Sequence, residues 1–240
     1  MNRILLESAE VGADGRVTLK DRQAAHVLQV LKSRPGDGVR IGVIDGLRGS
    51  AQVTSIEPGA VQLSCTLDTP PLPSTRTTLL LALPRPKVLH RLWAPLASLG
   101  LDRIILTGAA KVERQYFETH WLTPEAYHPL LIEGLEQSGD TRLPEVTLCR
   151  RFKPFIEDEA DTCFAGATRL VCHPYAEKPL AAVLPAHGHP VVIAIGPEGG
   201  WTDYEIGLLQ EHGFACASFG ERTLRTDTAV QAILGAVLAR

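Results

Sequence analysis

Two glycine-bearing turns contain the residues of this 240-residue chain that could do chemistry. The first turn, residues 196–201 with the sequence GPEGGW, follows the apolar run Val191–Ile195. Glycine permits positive φ angles and a close approach of a ligand to the backbone, so this composition predicts a binding loop. The loop matches neither the dinucleotide pattern GxGxxG nor the GKS/T of a P-loop, and Glu198 would repel a phosphate. It therefore favours a neutral or cationic ligand, and the alternative is a tight turn that binds nothing.

The second turn, residues 220–228 with the sequence GERTLRTDT, follows an apolar run at 215–219 and leads into the last helix. The free amides and the dipole at the start of a helix provide a polar site. Arg225 could place its guanidinium on a phosphate or on the edge of a base. The alternative is an ion pair between Arg225 and Asp227 that closes the start of the helix. Two such turns after neighbouring strands together favour a ligand site.

Alternating strands and helices predict the α/β domain that presents these turns. Such alternation implies a mostly parallel sheet, and open α/β sheets bind ligands at the carboxyl ends of their strands. The predicted strands are 77–83, Arg103–Thr107, 169–172, Val191–Ile195 and 215–219. The predicted helices are 88–99 with a bend at Pro95, 124–137 with a disturbance at Pro129, 202–211 with a Thr202/Glu205 capping box, and 229–239 with a Thr228/Gln231 box.

The first 70 residues have the pattern of a small β-barrel. Short β-like runs occupy residues 3–6, 16–19, 39–44, 50–56 and 61–67, and Asp45-Gly46 is a turn signal. One helix interrupts them, with Asp21 as its predicted N-cap and with Ala25, Leu28, Val30 and Leu31 roughly on one face. Three prolines between positions 70 and 73 stop both helix and central strand. This linker predicts two domains, residues 1–72 and 73–240.

Taken together, the two C-terminal turns resemble the paired signature of the bacterial 16S ribosomal RNA uracil-N3-methyltransferases. This is the ribosomal small subunit methyltransferase E family, in the SPOUT class of knotted methyltransferases. The signature segments are 195–201 and 219–229, and agreement extends in order over nearly the whole chain. The further matching segments are 26–32, Gly36-Asp37, Asp45-Gly46, Lys87, 99–102, 136–139 and Pro144-Glu145.

The resemblance implies a fold, a cofactor and partners. The fold would be an N-terminal PUA-like RNA-binding β-barrel and a C-terminal SPOUT trefoil-knot methyltransferase domain with a mostly parallel sheet. S-adenosyl-L-methionine would be the methyl donor, and the protein would be a homodimer that acts on 16S ribosomal RNA in the assembled small subunit. By position, the donor site maps onto Ile195, Gly196, Pro197, Glu198, Gly199, Gly200, Phe219, Gly220 and Leu224.

Methylation of uracil N3 requires removal of a weakly acidic proton and alignment of the nitrogen with the donor methyl group. We expect Arg225 to steady the uracilate oxygens or a neighbouring phosphate, and Thr226 and Asp227 to order the loop. Asp227 is a candidate general base if it reaches the uracil. Two alternatives stay open, namely a SPOUT methyltransferase of another RNA and a non-catalytic RNA-binding assembly factor.

The net charge of −3 by itself argues against a nucleic-acid partner, but the charge is segregated along the chain. Residues 73–114 hold seven basic and two acidic side chains, whereas residues 115–180 hold six basic and eleven acidic ones. Binding to phosphates depends on local cationic surface, although a solvated helix face would have the same pattern. The candidate RNA-binding residues are Arg22, Lys32, Arg34, Arg85, Lys87, Lys111, Arg114 and Arg142.

The chain departs from the family pattern at three places. Ser98 replaces an acidic residue, residues 107–110 (TGAA) lack an arginine, and Asp140 stands where an arginine is usual. These changes would affect RNA docking or dimer contacts, and Lys111, Arg114 and Arg142 could compensate.

Metal, disulfide and membrane signals are weak. The five cysteines form no CxxC pair, which is typical of reduced thiols in a cytoplasmic protein, and His187 and His189 have no matching ligand cluster. The apolar runs are too short to span a bilayer, and no signal peptide is recognisable. We therefore expect a cytoplasmic protein without a metal and without a membrane partner.

Overall fold

A computed structural model describes residues 3–239, and the chain divides into two compact units. The N-terminal unit combines the residues up to Pro73 with the segment Ile132–Leu143. The C-terminal unit combines Ser74–Leu131 with the residues from Pro144 onward.

The N-terminal unit contains a five-stranded sheet in the order β1-β3-β4-β5-β2. Its strands are β1 (Ile4–Leu6), β2 (Arg16–Lys20), β3 (Gly38–Val43), β4 (Arg48–Glu57) and β5 (Ala60–Thr69). β1 pairs with β3 in parallel, and the other ladders are antiparallel. β2 shows why these segments are strands, because Val17 and Leu19 are buried while the residues between and beside them are exposed.

One hydrophobic core receives side chains from all five strands, so the sheet curls into a half-barrel. Register shifts in β4 at Arg48/Gly49 and at Val53/Ser55 add to this curvature. The core consists of Ile4, Leu6, Val17, Leu19, Ala24, Val27, Val39, Ile41, Ala51, Val53, Val61 and Leu63. The predicted small barrel is thus present as a curled sheet with β1 and β2 at its edges.

The helical segment between β2 and β3 differs from its prediction. It consists of α1 (Asp21–Ala25) and a π-helical turn (His26–Val30). Asp21 is the first helical residue, with φ +45°, and the predicted N-cap is wrong. The wider π turn changes which side chains face the core. Ala24 and Val27 are therefore buried, whereas Val30 and Leu31, predicted to share one face with Ala25 and Leu28, are 66% and 44% exposed.

A segment distant in sequence completes the N-terminal unit. The amide of Arg3 donates to the carbonyl of Glu136 at 3.1 Å, and the amide of Asp45 donates to the carbonyl of Thr141 at 2.7 Å. The Thr141 hydroxyl also donates to the carbonyl of Gly46 at 2.7 Å. Residues 132–143 therefore belong to this unit by hydrogen bonding, although they lie far from the barrel strands in the sequence.

The C-terminal unit contains a six-stranded sheet in the order β11-β9-β10-β6-β7-β8, and every ladder in it is parallel. Its strands are β6 (Thr77–Ala82), β7 (Arg103–Thr107), β8 (Glu145–Cys149), β9 (Thr168–Cys172), β10 (Val191–Ile195) and β11 (Phe214–Ala217). The parallel sheet agrees with the prediction. β8 has no clear sequence signal because it is a half-exposed edge strand, with Leu148 39% exposed.

Helices follow the strands of this unit. They are α2 (Pro86–Ser98), α3 (Pro124–Ser138), α4 (Phe152–Pro154), α5 (Ala160–Cys163), α6 (Leu180–Val183), α7 (Asp203–Glu211) and α8 (Thr226–Leu238). The second half of α3 belongs to the segment Ile132–Leu143 of the N-terminal unit. A π turn (Phe155–Glu159) joins α4 to α5, and 3-10 turns occupy Arg114–Glu118 and His120–Leu122.

The two predicted capping boxes have different outcomes. The box of Thr202 and Glu205 at the start of α7 is confirmed, with both reciprocal hydrogen bonds present. The box of Thr228 and Gln231 is wrong, because α8 begins at Thr226 and no side chain caps it. The side-chain amide of Gln231 instead donates to the carbonyl of Asp227 at 3.2 Å.

Candidate functional site

A cavity of about 420 Å³ lies at the carboxyl ends of β9, β10 and β11. β9 pairs with both β10 and β11 in parallel, so the three strand ends share one edge of the sheet. This is the edge where open α/β sheets bind ligands, and the volume suits a small organic molecule.

Residues from both glycine-bearing turns line this cavity. The turn after β10 and the turn after β11 are well separated in the sequence, yet the sheet order brings them together. All nine residues predicted to hold the methyl donor lie in the wall, namely Ile195, Gly196, Pro197, Glu198, Gly199, Gly200, Phe219, Gly220 and Leu224. Their role in binding stays a prediction, but the convergence on one cavity is observed.

The first turn folds around a buried tryptophan. Trp201 is 4% exposed, and its ring lies 5.2 Å from that of Phe152. A Cβ atom on Gly196 would lie 3.1 Å from Cδ1 and 3.2 Å from Nε1 of Trp201. Any other residue at this position would therefore displace the indole. Gly200 has φ +70°, a conformation that glycine adopts at little cost. Steric and conformational requirements thus explain two of the three glycines.

Two residues predicted to bind RNA help to hold this turn. The backbone amide of Arg85 donates to Oε1 of Glu198 at 3.0 Å. Nζ of Lys111 donates to the carbonyl of Gly199 at 2.8 Å, and a Cβ on Gly199 would lie 2.9 Å from Cδ of Lys111. The Glu198 carboxylate therefore orders the loop, and Lys111 is part of the cavity wall.

A buried carboxylate joins the loop after β7 to the start of α7. Glu205 is 3% exposed and accepts hydrogen bonds from the amide of Thr202 at 2.8 Å and from the amide of Ala110 at 2.7 Å. In the same loop, a Cβ on Gly108 would collide with the carbonyl oxygen of Arg150. Thr107 and Gly108, in the segment that departs from the family pattern, are therefore tightly packed.

The start of α8 carries the three predicted catalytic residues. Thr226 is 8% exposed and lines the cavity, whereas neither Arg225 nor Asp227 contributes to its wall. Nη2 of Arg91, on α2, donates to Oδ2 of Asp227 at 2.7 Å, and this hydrogen bond lowers the pKa of Asp227. Nε of Arg225 lies 3.7 Å from the other carboxylate oxygen, and the Arg225 side chain is 79% exposed. No motif or spacing in the sequence singles out Arg91.

The loop after β9 is a third wall of the cavity that sequence reasoning missed. Cys172, His173, Pro174 and Tyr175 line the cavity, and Tyr175 is 85% exposed. Burial raises the pKa of the Cys172 thiol to about 12, so the thiol is neutral at physiological pH. The signal for this loop is its position, since the strand that ends at residue 172 is predicted and neighbouring strand ends share an edge.

The remaining candidate RNA-binding residues are dispersed. In the N-terminal unit, Nη2 of Arg22 donates to Oε2 of Glu136 at 3.0 Å, and Nη2 of Arg142 donates to the carbonyl of Leu72 at 3.3 Å. Burial of Glu136, which is 1% exposed, raises its pKa despite the opposing effect of Arg22. The other four are exposed and are Lys32 and Arg34 in the N-terminal unit and Lys87 and Arg114 in the C-terminal unit.

Two of the departures from the family pattern have local structural roles. Asp140 is 6% exposed and accepts hydrogen bonds from the amides of Leu72 at 3.0 Å and Thr141 at 2.8 Å. The hydroxyl of Ser98 donates to the carbonyl of Pro95 at 2.8 Å at the end of α2. Their predicted effect on RNA docking or dimer contacts stays a prediction.

The described residues contain neither a metal-binding cluster nor a membrane-spanning helix. Within residues 3–239, no three or more His, Cys, Asp or Glu side chains form a group that could hold a metal ion. No helix in that same range is long and apolar enough to cross a membrane. All five cysteines are free thiols.

Comparison with known proteins shows the family. Residues 70–238 match the family model described as an RNA methyltransferase domain. The ribosomal RNA small subunit methyltransferase E of Treponema pallidum is 32% identical over 245 residues, which cover 100% of this chain and 91% of that protein. This chain belongs to the ribosomal RNA small subunit methyltransferase E family. Its Synechocystis relative of the same name is also 32% identical, with coverage of 98% of this chain and 77% of that protein.

A solved structure supports the fold of this family member. A ribosomal RNA small subunit methyltransferase E from Neisseria gonorrhoeae, bound to S-adenosyl methionine, superposes with a TM-score of 0.76 at 24% identity. The alignment covers 100% of this chain and 97% of that structure. The predicted family and the predicted fold class, a SPOUT methyltransferase domain after an N-terminal barrel, are therefore confirmed.

Proposed function

We propose that this RNA methyltransferase uses S-adenosyl-L-methionine to methylate N3 of a uracil in 16S ribosomal RNA of the small subunit. The observation that carries the proposal is the single cavity at the carboxyl ends of β9, β10 and β11, lined by both glycine-bearing turns. The names of the relatives support small-subunit RNA as the substrate, and the Neisseria gonorrhoeae structure supports the methyl donor.

The residues of the cavity fit the proposed donor. S-adenosyl-L-methionine has a sulfonium cation and an adenosine but no phosphate, so it needs backbone hydrogen bonds and apolar walls. The glycine-bearing turns offer approachable backbone, and Ile195, Leu224 and Ile233 offer apolar surface. These residues would hold the donor, which supplies a methyl group on a positively charged sulfur.

The protein itself must position the uracil. Correct orientation of two reactants can contribute about 7–11 kcal/mol to lowering a barrier. A paired uracil hides N3, so the target must be unpaired or flipped out of its helix. We assign Arg225 to the uracilate oxygens or to a neighbouring phosphate, because its guanidinium is exposed beside Thr226 of the cavity wall. Thr226 and Asp227 would order the start of α8.

A role of Asp227 in ordering the loop is favoured over a role as general base. Its carboxylate accepts hydrogen bonds from Arg91 at 2.7 Å and from the amide of Thr228 at 3.1 Å. The lowered pKa also makes this carboxylate a weaker base than an ordinary aspartate.

The rest of the proposal concerns domains and partners. We propose that residues 1–72 act as the PUA-like RNA-binding module and that residues 73–240 carry out methyl transfer. The protein would act as a cytoplasmic homodimer on assembled small subunits. The exposed basic residues Lys32 and Arg34 support RNA contact by the first module, and Lys87 and Arg114 support it for the second.

The test is to map methylated uridines in ribosomal RNA from a strain that lacks the gene. One N3-methyluridine should be lost from 16S RNA, restored by the parent gene, and strongly reduced when Arg225→Ala replaces it. An unchanged methylation profile would contradict the proposed function. Calorimetry with S-adenosyl-L-methionine separates the enzyme from an assembly factor, since an assembly factor would show no binding. Loss of a methyl group from another RNA would identify a different substrate.

A further inference from the structure

Two arginines compete for one carboxylate at the start of α8. Arg91 takes the short contact to Asp227, with Nη2 2.7 Å from Oδ2. Arg225 is two residues from Asp227 in the sequence, yet its Nε stays 3.7 Å from Oδ1. Asp227 is 19% exposed at its side chain, whereas Arg225 is 79% exposed. One oxygen of the carboxylate is thus occupied from α2, and Arg225 makes only a longer ion-pair contact with the other oxygen while most of its side chain stays exposed.

From this geometry we propose that Arg91 is a positioning residue. It binds Asp227 and thereby leaves Arg225 available to an anionic group of the RNA substrate. The inference rests on the proposed function and adds a residue to it. Arg91 would act through Arg225 and would not itself touch the substrate, because its guanidinium is held by Asp227.

Electrostatics sets the direction of the effect. Without Arg91, Asp227 would lose its closest cationic partner, and Arg225 would be the nearest remaining one. In the absence of Arg91, Arg225 would move closer to Asp227, and this ion pair would compete with the binding of Arg225 to RNA. An exposed ion pair of this kind is weak, so the loss of RNA affinity would be small but measurable. We expect Arg91→Gln to weaken RNA affinity about two- to fivefold.

A merely structural role for Arg91 makes a different prediction. If Arg91 only tied α2 to α8, removal of Asp227 as well would not restore RNA affinity. In our proposal the double variant Arg91→Gln/Asp227→Asn restores it, because no carboxylate remains to capture Arg225. Arg91→Lys should retain most of the affinity, since it keeps the positive charge.

The first experiment measures equilibrium binding to small ribosomal subunits purified from a strain that lacks the gene. The methyl donor is omitted, so any loss of turnover in the Asp227→Asn background does not interfere. Arg103→Gln is the matched control, because it breaks a 3.0 Å ion pair with Glu145 at the opposite edge of the same sheet. We expect weaker binding only for Arg91→Gln, together with a lower salt dependence, because fewer phosphate contacts release fewer counterions.

The second experiment does not depend on RNA. Phenylglyoxal modifies free guanidinium groups, and mass spectrometry gives the rate at each arginine. Arg225 should react about two- to fivefold more slowly in Arg91→Gln than in the parent, and at the parental rate in the double variant. An unchanged rate at Arg225 would overturn the inference even if methylation of small-subunit RNA is established. Failure of the parent to bind small subunits would instead count against the proposed function.

Discussion

The two units of the molecule differ in a property that can be read from the printed sequence, namely where the aromatic residues lie. The N-terminal unit contains no Phe, Tyr or Trp, and all thirteen aromatic residues belong to the C-terminal unit. The core of the N-terminal unit consists of Val, Leu, Ile and Ala, which suffices for a curled five-stranded sheet. A unit without Phe, Tyr or Trp lacks the side chains on which RNA bases stack most readily, so we expect its RNA contacts to rely mainly on phosphates and hydrogen bonds.

One arginine from each unit shows two different uses of this residue type. In the N-terminal unit, the Arg3 guanidinium donates to the carbonyls of Ile41, Gly49 and Gly139, so its role is structural. In the C-terminal unit, Arg225 remains exposed beside the cavity. The same residue type therefore completes the fold at Arg3 and stays largely exposed beside the cavity at Arg225. Sequence alone does not distinguish these two uses.

Among the substitutions that test the comparison of the two units, Gly49→Ala in the N-terminal unit is expected to have the largest effect. A Cβ there would collide with the carbonyl oxygen of Thr66, at the β4 register shift. Gly49→Ala should reduce the free energy of unfolding of the N-terminal unit by about 1–3 kcal/mol, or more if the backbone cannot move. Gly38→Ala is the matched control, because nothing lies within 4 Å of its added Cβ. Amide hydrogen exchange in β4 and β5 measures the change, and equal protection in both variants would refute this explanation of Gly49.

The same experiment tests whether the units are independent. All three tryptophans, Trp93, Trp121 and Trp201, lie in the C-terminal unit, so tryptophan fluorescence reports on that unit alone. A Gly49→Ala effect that appears in hydrogen exchange but not in the fluorescence transition would show that the N-terminal unit can loosen alone. Identical shifts in both signals would show that the two units unfold together.

The second effect concerns the donor cavity. Gly196→Val would push a β-branched side chain into the indole of Trp201, which lies 3.1 Å from the position of the added Cβ. We expect the affinity for S-adenosyl-L-methionine to fall about tenfold or more, because such overpacking costs about 1–3 kcal/mol. Gly207→Val on α7, where the added Cβ meets nothing within 4 Å, should bind as the parent does. Calorimetry gives both affinities, and parental binding by Gly196→Val would remove this loop from the proposed donor site.

The third effect is a pH dependence of the N-terminal unit. Burial raises the pKa of Glu136 in the folded state, so its ionised form destabilises the fold. The contribution of Glu136 is therefore most favourable below its unfolded pKa of about 4.5 and is lost as the pH rises through the folded pKa. The stability of the parent relative to Glu136→Gln should fall as the pH rises above about 4.5. Urea titrations followed by circular dichroism at several pH values measure this slope, and Glu133→Gln on an exposed position of α3 controls for the removed charge.

The smallest effect concerns RNA binding by the aromatic-free unit. Lys32 is exposed and has φ +53° just after the π-helical turn. If this unit contacts phosphates, Lys32→Gln should weaken binding similarly for different RNA sequences and reduce the salt slope by about one. Lys20→Gln, at an exposed position at the end of β2, is the comparison variant. A Lys32→Gln effect that depends on RNA sequence would contradict phosphate contact.

Much of the fold follows from local sequence patterns. The five strands of the N-terminal unit lie within two residues of their predicted bounds, because alternation of apolar and polar residues is a local property. The bounds of β7 and β10, Arg103–Thr107 and Val191–Ile195, match their predictions to the residue. The shared face predicted for the α1 segment is not observed, because a π turn changes the helical period on which that prediction depends. β8 is not predicted from the sequence, because an edge strand needs no continuous apolar run.

The candidate site is predictable in part. The glycine composition of residues 196–201 and 220–228 by itself locates two walls of the cavity. The wall formed by residues 173–175 has no unusual composition, and it belongs to the cavity only because β9 lies between β10 and β11. Arg91 is an ordinary exposed position of an amphipathic helix until its contact with Asp227 is seen.

The order of residues along the chain specifies the local elements, the glycine positions, the capping box of α7 and the lack of aromatic residues before Pro73. Which charged groups meet is a property of the tertiary fold. Asp227 pairs with Arg91, which is 136 positions away in the sequence. Glu198 accepts a hydrogen bond from the amide of Arg85, which is 113 positions away. Such pairings depend on the order of strands in the sheet, β11-β9-β10-β6, which differs from their order in the chain. Local propensity contains no information about that order, because it arises from which apolar faces pack together when the whole sheet forms.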